Sequence, residues 1–134
     1  MTEFYKLPDY IKCDELKEKF IEFLVRYNNN TTNANINYAL DELSELSDRQ
    51  WHTYEILDDE ITTQIENYLF LVINLENESI MDSIIYIIPR LGLEKTFLYL
   101  LEKKASIANK NVVQNIHEAE MEYGKNVSNP YANM

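Results

Sequence analysis

The chain has 134 residues, 46% of them apolar, and a net charge of −11 set by 23 acids against 12 bases. That length and apolar content allow one folded domain with its own core and exclude a chain disordered by composition. Two glycines and three prolines exclude a turn-rich β-sandwich and leave punctuation only between long helices, so the fold class is all-α.

Residues 1–12 read as an extended lead-in, with Phe4, Tyr5 and Tyr10 available to pack back on the body. A first helix begins at Cys13 or Asp14, because Leu16, Phe20, Phe23, Leu24 and Tyr27 recur at helical spacing opposite Glu15, Glu18 and Glu22. The polar run NNNTTNAN over residues 28–35 stops it. A second helix is expected over 35–46, with Ile36, Ala39, Leu40, Leu43 and Leu46 inward and Asp41, Glu42 and Glu45 outward. Ser47 should cap a short third segment packed through Trp51, Tyr54, Ile56 and Leu57. Asp58, Asp59 and Glu60 suit the first turn of a fourth helix over 59–76, since carboxylates there complement the helix dipole. That helix is apolar around most of its circumference and is expected to be the most buried.

The stretch 79–101, SIMDSIIYIIPRLGLEKTFLYLL, reads as a helix, a Pro/Gly turn and a second helix. Ser79 is the expected N-cap, and Pro89 should kink or end the first helix, because proline removes a donor and clashes with the preceding turn. A last helix over 109–123 carries Val112, Val113, Ile116, Ala119 and Tyr123 until Gly124, and 125–134 reads as a flexible tail. The expected domain is therefore a single helical unit over 1–124.

No signal-peptide pattern and no apolar run of spanning length occur, so a cytoplasmic location and no membrane contact are expected. The lone Cys13 precludes an intramolecular disulfide and reads as a helix-start residue. Charge is unevenly spread: residues 1–82 hold 18 of the 23 acids and six of the 12 bases, a net of −12. Such a field repels phosphate backbones and anionic lipid, which argues against nucleic acid and favours a basic partner.

No catalytic pattern is present, so no enzymatic activity, cofactor or metal is expected. His117-Glu118 begins an H-E-x-x-H pattern, but Met121 stands where the second histidine belongs. The consecutive acids 58–60 do not follow the alternating spacing of a calcium loop and read as helix capping. Acidic and aromatic groups instead come together as an interface would use them, rings as anchors inside a polar rim. The residues read as partner-binding are Asp41, Glu42, Glu45, Asp48, Trp51, Tyr54, Glu55, Asp58 and Asp59.

Two resemblances follow. Residues 78–101, with paired helices, the PRLG turn and the following F-L-x-L-L run, resemble one HEAT repeat. This implies six or seven short antiparallel helices in a right-handed array, with a compact irregular helical bundle as the competing description. Small size, one-sided acidic charge, no catalytic set and helices rich in Asn, Ile, Lys and Tyr make the chain similar to the immunity proteins of bacterial contact-dependent and polymorphic toxin systems. That likeness implies a partner, the basic C-terminal toxin domain of a large exported protein, often a nuclease. A HEAT-like adaptor or secretion chaperone that holds a peptide between stacked helices is the alternative.

Overall fold

The computed structural model describes residues 13–27, 33–53, 55–124 and 127. Six α-helices and no strand occur among them: α1 (Cys13–Tyr27), α2 (Asn33–Trp51), α3 (Asp59–Val72), α4 (Glu78–Leu91), α5 (Glu94–Lys103) and α6 (Lys110–Tyr123). The lead-in over 1–12, most of the tail and Tyr54 lie outside the described residues; Val127, within the expected tail, is buried. No described helix is long and apolar enough to cross a membrane.

The apolar stripe of α1 is buried throughout, and its charges follow the dipole, with Asp14 and Glu15 in the first turn and Arg26 in the last. One long helix, α2, replaces the two expected segments. Ser47 is buried inside it and donates its hydroxyl to the Ser44 carbonyl at 2.8 Å, as Ser44 does to Leu40. Serine satisfied one turn back within a helix has no need to cap a new one. The helix ends at Trp51, where Thr53 Oγ1 donates to the Gln50 carbonyl at 2.7 Å and Gln50 Nε2 donates to the Glu55 carbonyl at 2.8 Å. Ile56, expected to pack, is exposed in the connection that follows.

Asp58 caps α3 as its sequence position requires, accepting from the N–H of Glu60 at 2.9 Å and of Ile61 at 3.4 Å. The helix stops at Val72 rather than 76 because Asn74 Oδ1 takes the Glu76 N–H at 3.2 Å and closes a turn. Phe70 and Leu71 are exposed on it, so α3 is not the most buried helix; α2 buries a wider face against α1 and α4. The cap of α4 is Asn77, whose Oδ1 accepts from Ile80 N–H at 3.0 Å, and Ser79 lies inside the first turn. Pro89 sits near the helix end, which Gly92 closes at φ 69° while the N–H groups of Gly92 and Leu93 both reach the Ile88 carbonyl. Asn109 caps α6 and Gly124, at φ 50°, ends it.

Helix α5 has no cap of its own. Leu93 precedes it, and the missing acceptor comes from α3: Glu66, buried, receives the Thr96 N–H at 2.7 Å and the Thr96 hydroxyl at 2.9 Å. A similar exchange seats α6, because Glu76 accepts from the N–H of Ala108 at 3.0 Å and of Asn109 at 2.8 Å.

These contacts also set helix directions. Lys17 meets Asp58 and Phe23 meets Tyr68, so α1 and α3 run parallel; Glu66 meets Thr96 and Phe70 meets Tyr99, so α5 continues alongside in the same direction. On the other side Asp48 meets Arg90, and Asn111 and Asn115 meet Glu78 and Asp82 in turn, so α2, α4 and α6 also lie side by side. Alternate helices thus stack into two layers, an arrangement compatible with the HEAT-like reading. Buried residues from all six helices form one cluster, with Phe23 edge-on to Tyr68 at 5.4 Å near its middle. Each such large side chain contributes roughly 1.5–3 kcal/mol by leaving water.

Candidate functional site

The acidic residues singled out in sequence do not share one surface. Of the carboxylates on α2, Asp41 is exposed, Glu45 is half-buried against Arg49, and Glu42 is fully buried. Glu42 therefore leaves the interface set. It lies under Arg26, whose Nη1 reaches its Oε2 at 3.1 Å, and its Oε1 has no hydrogen-bond partner among the described residues. Burial pushes the Glu42 carboxyl above its ordinary value, against the opposing pull of Tyr27 and Arg26. Burial in the same cluster, with Glu42 next to it, raises the Tyr27 hydroxyl. Helix α2 buries Glu42 because α1 and α4 both pack on it, which widens its inward face beyond one stripe.

Asp48 is a structural hub. Its Oδ1 accepts from Tyr86 Oη at 2.7 Å and from Arg90 Nε at 2.9 Å, joining α2 to α4. The Arg90 guanidinium lies 3.6 Å from the Tyr86 ring centroid and donates through Nη1 to the Tyr86 carbonyl at 2.9 Å. Burial, then the bond to Asp48, raises the Tyr86 hydroxyl. His52 is engaged as well, its Nδ1 2.7 Å from the Asp48 carbonyl oxygen. Trp51 is half-buried at the end of α2, edge-on to His52 at 5.5 Å.

Asp41 is exposed on α2, and a separate group of exposed acids gathers at one end of the molecule. The parallel course of α1 and α3 puts their N-termini side by side, bridged by Lys17 and Asp58 at 3.6 Å. Asp14, Glu15 and Glu18 of α1 join Asp58, Asp59 and Glu60 of α3 there, all exposed, with Glu55 and Ile56 in the adjoining connection. Two backbone N–H groups, of Ile61 and then Glu60, hold the Asp58 carboxyl below its ordinary value, with Lys17 adding to the effect. Each carboxylate in these first turns also faces the positive end of a helix dipole.

Of this group, Glu55, Asp58 and Asp59 were singled out in sequence, whereas Asp14, Glu15, Glu18 and Glu60 were not. The acid-rich start of α1 was legible, but its neighbour across the layer was not. No three His, Cys, Asp or Glu side chains among the described residues converge as metal ligands. The arrangement offers an anionic surface with Ile56 exposed beside it, suited to holding cations on another macromolecule. Compared with known protein families, curated proteins and solved structures, the chain matches none.

Proposed function

We propose that this chain is an immunity protein that works in the cytoplasm of the cell producing it, binding a basic toxin domain and occluding that domain's active site. It acts by binding, without chemistry of its own. The observation that carries the reading is the acidic end, where six exposed carboxylates cluster at the starts of α1 and α3 and Lys17 is the cation that bridges them among the described residues. For a nuclease target, such a surface competes with the substrate's phosphates for the same lysines and arginines. It also steers encounter, raising association rates by about 10- to 1,000-fold at low salt. Exposed Ile56 supplies an apolar contact inside the charged rim.

Charge reversal tests this directly. The variant Glu15→Lys/Asp59→Lys, altered at two exposed sites, should fold as the parent does and should bind the basic partner at least about tenfold more slowly, with a shallower salt dependence. Unchanged association kinetics in that variant would remove the acidic end from the account.

A further inference from the structure

A second surface, unlike the first in charge, lies where α3 and α5 run side by side. Phe70 stands edge-on to Tyr99 at 5.4 Å, and Leu71, 61% exposed, lines a groove of about 550 Å³ floored by Val72, Ile73 and Ile80. Lys95 and Lys103 lie four residues either side of Tyr99 on the same face of α5, with Lys103 Nζ 5.8 Å from the Tyr99 ring centroid. These lysines are exceptions in an acid-rich chain. Lys17, Lys19, Arg26, Arg49, Arg90 and Lys104 each reach a carboxylate, whereas Lys95 and Lys103, and Lys110 at the start of α6, reach none among the described residues. One step round α5, Glu94 and Glu102 flank exposed Leu98, so the positive strip is narrow, and it adjoins the groove through Tyr99, which lines it.

The complement of that strip is on α1. Its outward face carries Ile21, 46% exposed, and Val25, 79% exposed, beside the acids Asp14, Glu18 and Glu22. Asp14 and Glu22 are eight residues apart, as are Lys95 and Lys103, so both pairs span about 12 Å of helix. Glu22 is shared with Lys19 at 3.5 Å, an exposed pair that exchanges easily for another cation.

We propose that a second copy of this chain lays the outer face of its α1 along the α3–α5 groove, head to tail. Leu71 and Phe70 then meet Ile21 and Val25, while Lys95 and Lys103 meet Asp14 and Glu22. The two faces are different surfaces of one chain, so each contact leaves one groove and one α1 unused, and association continues past two copies. Net charge of −11 on every copy opposes close approach and keeps the contact weak. Asp14 belongs to the acidic end as well, so this contact and toxin binding overlap at that residue, whereas Leu71 and Val25 lie outside the toxin-binding group.

The test is sedimentation equilibrium of the full chain with two variants at exposed positions. Leu71→Glu blocks the groove with a like charge, and Val25→Lys blocks α1; circular dichroism and thermal unfolding matching the parent establish that both remain folded. The parent's average mass should rise beyond that of a dimer as concentration approaches about 1 mM, the range of a contact worth about 4 kcal/mol. Each variant alone should stay monomeric, and an equimolar mixture should form a 1:1 pair that grows no further, because one free groove meets one free α1. A parent monomeric throughout overturns the proposal and leaves the groove to an acidic helix of another protein. A parent that stops at a symmetric dimer, or a mixture that stays monomeric, also overturns it.

Discussion

Glu66 of α3 and Thr96 of α5 are joined by two hydrogen bonds inside the core, one to the threonine N–H at 2.7 Å and one to its hydroxyl at 2.9 Å. A carboxylate thus does for the start of α5 what a capping side chain does elsewhere, but from a helix 30 residues away. Glu66→Ala should cost about 2–3 kcal/mol, since it strands two donors in the core. Thr96→Val, which keeps the N–H bond, should cost less. Urea denaturation of both variants measures the difference.

Glu42 predicts a pH dependence. Burial raises its folded-state pKa above the unfolded value, so the folded protein binds the proton more tightly. Its contribution to stability is present below the unfolded value, near 4.5, and is lost as pH rises through the folded one. Glu42→Gln cannot titrate. The stability of this variant minus that of the parent should therefore increase from about pH 4 to pH 7 in denaturant titrations, the acidic range in which carboxylates change charge. A flat difference would place Glu42 in an environment as wet as an ordinary surface carboxylate.

Asp48 should report on stability and leave binding intact. It ties Tyr86 and Arg90 of α4 to α2, so Asp48→Ala should destabilise by about 1–2 kcal/mol, less than a fully buried pair because Asp48 and Arg90 remain about one-third exposed. A double-mutant cycle with Arg90→Ala should give a coupling of about 0.5–1 kcal/mol. Affinity for a basic partner should hold within about twofold, since rim and off-site charges contribute little.

Those cases mark what was legible in the sequence and what was not. Each helix has a stripe, and stripes are local: the spacing of Leu16, Phe20, Phe23 and Leu24 identified α1 and its inward face, and all four are buried. Asp58 and Gly124 were readable as a start and a stop because capping depends on neighbours two to four residues away. Between Asn77 and Ser79, two competent caps two residues apart, only the fit of the preceding turn decides, and Asn77 prevails. Partners far apart in the chain could not be read. Asp48 with Arg90, Glu66 with Thr96, and Asp58 with Lys17 depend on which helices lie side by side, and no local pattern encodes that. For that reason the residues read together from sequence separated, with Glu42 buried, Asp48 bonded to α4, Asp41 exposed on α2, and Asp58 and Asp59 grouped with the acids at the start of α1.

Tyr68 offers a stabilising change. Its ring is fully buried against Phe23, and its hydroxyl has no hydrogen-bond partner among the described residues. Burial pushes that hydroxyl up to about 12. The raised value means a contribution present below the ordinary value of 10.0 and lost as pH rises toward 12. Tyr68→Phe removes an unsatisfied polar group without a large change of shape, so it should be neutral or stabilising by up to about 1 kcal/mol. It should also flatten the decline in stability above about pH 10, where tyrosine begins to ionise.

Affinity capture from the native host tests most directly whether the acidic end holds a basic protein. The parent chain and the Glu15→Lys/Asp59→Lys variant are immobilised side by side, eluted with a salt gradient, and the eluates identified by mass spectrometry. One basic, stoichiometric partner should appear on the parent column, released by salt and strongly depleted on the variant column. Diverse clients that resist salt and bind both columns equally would contradict it.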